Sequence, residues 1–310
     1  MNKLAFLFPG QGSQYPGMGK NLAAEFQSAR RVFEEADDAL SFGLSALCFD
    51  GAEDELRQTA NQQPALLTVS VAALRVLEER ELRPAVVAGH SLGEYAALVA
   101  AGALQFFDAV RLVRKRGEYM QEAVPAGVGA MAALLKLPEE KLEGVLAEAA
   151  RGEVVTAANF NSPDQVVIAG HRTAVERAIE LAKAAGARRA ILLPVSAPFH
   201  CPLMKPAQER LKIDLDATAF RDLSVPLVNN WRAEEVCLGS AAREGLYQQV
   251  PNPVRWVQSV RLLASKGVAR FVEVGAGQVL TGLCRGIEPS LAGARFGEPA
   301  DLEKVQNVLA

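Results

Sequence analysis

The stretch PAVVAGHSLGEYAALVA, residues 84–100, contains the turn that decides the fold of this chain. Its first part, PAVVAG, is a short apolar run that predicts a buried strand, and a small-residue helix is predicted from Glu94 onward. Between them lies Gly89-His90-Ser91-Leu92-Gly93, a G-x-S-x-G sequence. At a strand-to-helix turn this pattern is typical of a nucleophile elbow, which exposes a serine at a helix N-terminus. The alternative is an ordinary turn without chemistry.

Strand and helix patterns alternate on both sides of this turn. Further strands are predicted at 3–8, 225–229 and 270–274. Long helices are predicted at 21–39, 64–80 and 106–122. This alternation predicts an α/β fold, with a mainly parallel sheet covered by helices on both faces.

The middle of the chain has a different order of elements. The predicted strands there are 129–137, 154–161, 165–171 and 188–195, with helices at 138–150 and 172–185 between them. That order is β-α-β-β-α-β, which is the split βαβ unit of ferredoxin-like folds. We therefore expect an inserted subdomain at 127–195 and a catalytic domain formed by 1–126 and 196–310.

Composition excludes several classes of protein. Half of the 310 residues are hydrophobic, which is enough to form a large core. The net charge is −3, whereas a general nucleic-acid binder usually carries an excess of basic residues, so that class is disfavoured. No apolar run is long enough for a signal peptide or a membrane span. Four cysteines without a C-x-x-C pair and only three histidines argue against a zinc site. We expect a cytoplasmic protein with no metal and no bound cofactor.

A serine nucleophile requires a base, and His200 is the best candidate among the three histidines. His90 adjoins Ser91, so its side chain is expected to point away, and His171 lies at a predicted strand end. Pro198 and Pro202 flank His200 and restrict its backbone. No histidine follows His200, whereas α/β-hydrolase esterases carry theirs near the C-terminus. A Ser–His dyad, with a main-chain carbonyl behind the histidine, fits this order better than a full triad. The alternative is that His200 is a buried structural histidine with no catalytic role.

Arg116 lies where an apolar residue belongs. The helix predicted at 106–122 carries its apolar residues on one stripe, and Arg116 falls on that stripe. Because a buried guanidinium needs an anionic partner, two interpretations remain. One is an ion pair with a carboxylate of the protein, and the other is a fork that binds a substrate carboxylate.

A glycine-containing loop, FPGQGSQ at 8–14, follows the first strand. It lacks the third glycine of a dinucleotide-binding loop, and the chain contains no phosphate-binding P-loop sequence. A main-chain N–H of this loop could complete an oxyanion hole together with one just after the nucleophile. A plain connecting loop is the other interpretation.

Taken together, these motifs resemble the malonyl-CoA:acyl carrier protein transacylases of fatty acid synthesis. The motifs that carry the resemblance are Pro9-Gly10-Gln11-Gly12-Ser13-Gln14, Gly89-His90-Ser91-Leu92-Gly93-Glu94-Tyr95, Arg116-Gly117, Asn159-Phe160-Asn161-Ser162-Pro163, Pro198-Phe199-His200 and Glu273-Val274-Gly275. They occur in the order of the family and span nearly the whole chain.

The resemblance implies an α/β-hydrolase-like domain with a ferredoxin-like subdomain, and a ping-pong reaction. Ser91 would take malonyl from coenzyme A, and the phosphopantetheine thiol of an acyl carrier protein would then take it from Ser91. His200 would be the base, Gln11 and Leu92 would supply oxyanion N–H groups, and Arg116 would hold the malonyl carboxylate.

The same resemblance assigns supporting roles to three further residues. Gln249 would orient His200 through its main-chain carbonyl, and Asn161 and Asn230 would belong to the cleft wall. Malonyl-CoA and the carrier protein are the implied partners, with coenzyme A entering only as a thioester substrate. A chain without a fused carrier favours the discrete fatty acid pathway. The alternatives are an acyltransferase that serves a polyketide synthase, a serine thioesterase or esterase, and a non-catalytic scaffold.

Overall fold

The computed structural model describes residues 3–309, which form two β-sheets with helices packed against them. The strands are β1 Lys3–Phe8, β2 Val86–Gly89, β3 Gly129–Leu135, β4 Val155–Ser162, β5 Gln165–His171, β6 Arg189–Leu192, β7 Leu227–Val228, β8 Glu235–Val236, β9 Val268–Val274 and β10 Ala292–Phe296.

The α-helices cover both faces of the larger sheet and one face of the smaller one. They are α1 Lys20–Glu25, α2 Gln27–Leu40, α3 Leu44–Asp50, α4 Glu53–Leu56, α5 Thr59–Glu79, α6 Gly93–Ala100, α7 Phe106–Glu122, α8 Glu139–Ala150, α9 Arg172–Ala184, α10 Lys205–Ala217, α11 Gly239–Gln249, α12 Trp256–Ser265, α13 Val279–Ile287 and α14 Leu302–Leu309.

The larger sheet has six strands in the order β10-β9-β1-β2-β7-β8, and only the β7–β8 pair is antiparallel. Alternate residues of β1 pack into different cores: Phe6 and Phe8 on one face, Ala5 and Leu7 on the other. Burial on both faces explains the uninterrupted apolar run of this strand. The predicted α/β class with a mainly parallel sheet is confirmed.

The register of β1 and β2 positions two loops together. Phe8 lies opposite Gly89, the last residue of each strand, so both chains leave the sheet at the same edge. The loop that begins at Pro9 therefore lies beside the turn that contains Ser91. Gly10 packs directly against this turn, since a Cβ at Gly10 would lie 2.4 Å from the main-chain oxygen of His90.

The smaller sheet has the order β4-β5-β3-β6 and is antiparallel throughout. Helices α8 and α9 pack on it around a separate hydrophobic core. Main-chain hydrogen bonds of β4 connect this sheet to the rest of the molecule. The N–H of Phe160 donates to the oxygen of Val254 at 2.9 Å, and the N–H of Val254 donates to the oxygen of Ala158 at 2.9 Å.

Two helix predictions were wrong in their boundaries. The helix predicted at 21–39 is two helices, because Phe26 adopts an extended conformation (φ −116°, ψ 123°) between them. The helix predicted to begin at Pro64 begins at Thr59, so this proline lies inside α5. Proline leaves the carbonyl four residues earlier without its helical donor. Here Arg114 Nη1 donates to that oxygen of Ala60 at 3.1 Å, which satisfies it from another helix.

Gly89→Ala should destabilise the fold strongly. A Cβ at Gly89 would lie 2.0 Å from both the carbonyl carbon and the oxygen of Gly93, so backbone must move. We expect a loss of at least about 3 kcal/mol in the free energy of unfolding, measured by urea denaturation. Gly144→Ala in α8 is the control, because open space surrounds Gly144 and the change should stabilise by about 0.5–1 kcal/mol. Wild-type stability in Gly89→Ala would contradict the packing described.

Candidate active site

The turn between β2 and α6 holds Ser91 in a left-handed backbone conformation, with φ 52°. The two glycines of the motif make this geometry sterically feasible. Gly89 packs against the backbone of Gly93, and a Cβ at Gly93 would lie 2.0 Å from the oxygen of Phe8. The tight turn therefore places the serine directly before the first residues of α6, as the G-x-S-x-G pattern predicts.

Ser91 and His200 are in hydrogen-bond contact. Ser91 Oγ lies 2.7 Å from His200 Nε2, and His200 Nδ1 lies 2.8 Å from the main-chain oxygen of Gln249. Because a carbonyl oxygen can only accept, Nδ1 carries the proton and Nε2 is free to accept the proton of the serine. This is the geometry of a nucleophile, a base and an orienting group.

Burial keeps His200 neutral. The side chain is only 3% exposed, and desolvation, followed by the positive charge of Arg116, lowers the pKa of His200 to about 3. The free imidazole is therefore available as a proton acceptor over the whole neutral and mildly acidic range.

Arg116 is completely buried on α7 and faces the same hydroxyl. Its Nη1 donates to Gln63 Oε1 at 2.7 Å, while Nη2 donates to Ser91 Oγ at 3.1 Å and to Gln249 Oε1 at 3.0 Å. Its Nε has no hydrogen-bond partner, and in residues 3–309 no carboxylate forms a salt bridge with it. Of the two interpretations, the structure contains no direct ion pair, and the guanidinium retains donor capacity for an anion.

Gln11 lies on the loop beside the elbow, and Leu92 belongs to the elbow itself. Gln11 follows Gly10 on the loop that packs against His90, and its side-chain Nε2 donates to Gln62 Oε1 at 2.5 Å. Leu92 is buried immediately before α6, so its N–H belongs to the unpaired donors of a helix N-terminus. The two main chains are thus neighbours on the edge of the sheet where Ser91 lies.

The two asparagines lie in different places. Asn161 Oδ1 is 2.8 Å from His90 Nε2, so His90 points away from Ser91 as expected and meets the smaller sheet. Asn230 binds the elbow directly through its side chain. Its Oδ1 accepts from the N–H of Ser91 at 2.6 Å, and its Nδ2 donates to the oxygen of Gly89 at 2.6 Å. These bonds hold the strained turn in place.

Sequence reasoning missed three side chains that contact this site: Gln62, Gln63 and Glu94. Gln62 and Gln63 lie on α5 and are buried, and each binds a predicted site residue. The available signal was a pair of amides directly before Pro64, followed by a mostly apolar stretch of the same helix. Glu94 belongs to the elbow sequence itself, but its partners lie far away in the chain.

Metal and membrane features are absent from the described part of the chain. Residues 3–309 contain no group of three or more His, Cys, Asp or Glu side chains that could hold a metal ion. Among the same residues, no helix combines the length and the apolar character needed to cross a bilayer.

Comparison with known proteins gives consistent results. The family model of the acyl transferase domain matches residues 5–289. The malonyl CoA-acyl carrier protein transacylase of Escherichia coli K12 is 50% identical over 301 residues, which is 97% of each chain. An acyl carrier protein S-malonyltransferase from Vibrio cholerae, solved by crystallography, is 46% identical with a TM-score of 0.96, covering 98% of this chain and 100% of that one.

A third relative was solved together with a partner. It is a malonyl-transacylase in complex with the acyl-carrier protein of a type II polyketide synthase. It is 46% identical to this chain with a TM-score of 0.96, and the match covers 99% of both chains.

The low pKa of His200 predicts how Ser91 reactivity depends on pH. We expect the rate of labelling by a fluorophosphonate to change less than about threefold between pH 6.5 and pH 5. A histidine with the ordinary pKa of about 6.5 would lose more than about tenfold over this range, because most of it would be protonated at pH 5. Burial raises the pKa of Glu94 to about 8, so that group stays protonated at both values. A steep loss of rate at pH 5 would contradict a neutral His200.

Proposed function

The chain belongs to the malonyl CoA-acyl carrier protein transacylase family, and from this membership we propose that it transfers malonyl through Ser91. The donor is malonyl-CoA and the acceptor is the phosphopantetheine thiol of an acyl carrier protein, which supplies fatty acid synthesis. The observation that carries the proposal is the convergence on one hydroxyl: Ser91 Oγ lies 2.7 Å from His200 Nε2 and 3.1 Å from Arg116 Nη2. A nucleophile, a base and a buried cation meet there.

In the first half-reaction, Ser91 Oγ attacks the thioester carbonyl of malonyl-CoA while His200 Nε2 takes its proton. An O–C bond forms, the C–S bond breaks, and His200 returns the proton to the departing thiolate of coenzyme A. In the second half-reaction, His200 takes the proton of the carrier thiol, whose sulfur attacks the ester. The O–C bond then breaks and Ser91 regains its proton.

The main-chain N–H groups of Gln11 and Leu92 stabilise the oxyanion in both steps, and the main-chain oxygen of Gln249 keeps the His200 ring in its productive tautomer. Support for the last role is the 2.8 Å contact between His200 Nδ1 and that oxygen. Asn230 stabilises the turn by accepting a hydrogen bond from the N–H of Ser91, and Asn161 contacts the site through its hydrogen bond with His90. No cofactor is needed for this chemistry.

Arg116 selects a short diacid. Its guanidinium is one hydrogen-bond length from the nucleophile, so a carboxylate that meets it must lie close to the reacting carbonyl. Malonyl, with one methylene between the two groups, meets this requirement. An acetyl group has no carboxylate for Arg116 to bind.

We also propose the division into a catalytic domain, 1–126 with 196–310, and a subdomain at 127–195. All four strands of the smaller sheet fall inside the second range, and all six strands of the larger sheet fall outside it.

The four cysteines are unpaired, which supports a reducing, cytoplasmic location. A polyketide carrier is a second candidate acceptor, favoured by the relative solved with such a carrier.

Ser91→Ala should abolish covalent malonylation. Wild-type protein incubated with malonyl-CoA should gain one malonyl group, visible by intact mass, and lose it to added carrier protein. A fatty acid carrier and a polyketide carrier should be compared as acceptors. Malonylation of Ser91→Ala would refute the mechanism, and rapid release of free malonate without a carrier would instead identify a thioesterase.

Arg116→Ala should impair malonyl transfer selectively. Loss of a charge-assisted hydrogen bond predicts a fall of about ten- to a hundredfold in kcat/KM for malonyl-CoA, with a smaller loss for acetyl-CoA. Arg116→Lys is the control, because it keeps the charge but not the planar fork, and it should be intermediate. An unchanged preference for malonyl over acetyl in Arg116→Ala would disprove the carboxylate-binding role.

A further inference from the structure

Glu94 is a buried carboxyl group behind the elbow that none of the steps above uses. The side chain is completely buried at the start of α6. Its Oε2 accepts from the N–H of Asn230 at 2.9 Å and from Gln249 Nε2 at 3.0 Å. Its Oε1 has no hydrogen-bond partner among the described residues. Glu94 therefore acts on the site only through other residues.

Gln249 connects Glu94 with the catalytic groups. While its Nε2 donates to Glu94, its Oε1 accepts from Arg116 Nη2 at 3.0 Å. Its main-chain oxygen accepts from His200 Nδ1 at 2.8 Å. This one residue thus contacts both the base and the cation of the proposed mechanism.

Gln249 Nε2 donates to Glu94 Oε2 at 3.0 Å and also approaches the main-chain oxygen of Ser91 at 3.5 Å, so Glu94 is the closer of two acceptors that fix which way round the Gln249 amide lies. An amide has a donor end and an acceptor end of almost the same shape, and only its partners distinguish them. Glu94 Oε2 requires the NH₂ end, so the oxygen is left to face Arg116. If the amide turned over, its NH₂ group would face the guanidinium, donor against donor, and Arg116 would lose one of its acceptors.

We propose that Glu94 is a positioning residue, which fixes the orientation of the Gln249 amide and thereby holds Arg116 in place for the far carboxylate of the substrate. The inference rests on the proposed function, because it assigns the distant determinant of that carboxylate site. The same oxygen also binds the main chain of Asn230, whose side chain holds the elbow, so one buried group fixes both halves of the site.

The positioning requires an acceptor oxygen and not a negative charge. Burial raises the pKa of Glu94 to about 8, so the group is largely neutral near pH 7. A neutral carboxyl group still offers Oε2 to both donors. An amide oxygen at the same position would do the same, which makes glutamine a conservative substitute and methionine, of similar length but with only a weakly accepting sulfur, a disruptive one.

The experiment compares Glu94→Gln with Glu94→Met in steady-state transfer from malonyl-CoA and from acetyl-CoA. Glu94→Met should lower kcat/KM for malonyl-CoA by about ten- to a hundredfold, largely through KM, because two buried donors lose their acceptor and Arg116 loses its alignment. Acetyl transfer should suffer less, so the malonyl-to-acetyl ratio should fall by at least about fivefold. Glu94→Gln should stay within about threefold of wild type in both reactions.

Glu273→Met is the matched control. Glu273 is also completely buried and accepts three hydrogen bonds, from the N–H groups of Leu280 and Thr281 and from Thr281 Oγ1. It caps α13 and binds none of the site residues. Its replacement should lower the melting temperature and leave the malonyl-to-acetyl ratio of the folded protein unchanged.

A wild-type ratio in Glu94→Met would overturn the inference, and so would a loss in Glu94→Gln as large as in Glu94→Met. If Glu94→Met fails to fold, Gln249→Met replaces it and must show the same fall in the ratio, and an unchanged ratio there would equally overturn the inference. Failure of wild-type protein to become malonylated on Ser91 is a separate result, which would refute the proposed function.

Discussion

The backbone contact between Gly89 and Gly93 is the constraint on which the rest of the site depends. It lets β2 pass into α6 within a few residues, while Gly93 packs under the carbonyl oxygen of Phe8. Because β1 and β2 end in register, the Gln11 loop lies beside the serine. The elbow therefore depends on two neighbouring parallel strands, and a substitution at the end of either strand would disturb the position of Ser91.

Charge is distributed unusually around this elbow. A buried guanidinium normally has a carboxylate beside it, since isolated charges are costly to bury. Arg116 is instead surrounded by amide and hydroxyl oxygens, which stabilise its charge without cancelling it. An anionic ligand then meets a cation that is already desolvated and oriented, and recognition requires little rearrangement of the protein.

Site residues that stand out in their own stretch of sequence could be predicted, and those recognisable only by their contacts with distant segments could not. Ser91 is marked by the glycines around it, and Arg116 by its position on an apolar helical stripe. The role of Pro64 was misjudged because its missing helical bond is replaced by Arg114, which lies 50 residues further along the chain. The role of Glu94 could not be predicted for a similar reason. Its hydrogen-bond partners come from distant segments of the chain, and no sequence periodicity indicates such a contact.

Ser91 and His200 share a backbone conformation that most residues avoid, with φ of 52° and 57°. Each left-handed residue costs roughly 1 kcal/mol or more, and surrounding packing sustains it. Glycine would adopt either conformation without that cost, but it would remove the hydroxyl or the imidazole that the proposed function uses. At both positions the residue that the proposed reaction requires is therefore less favourable for folding than glycine would be, and selection for stability alone would remove it.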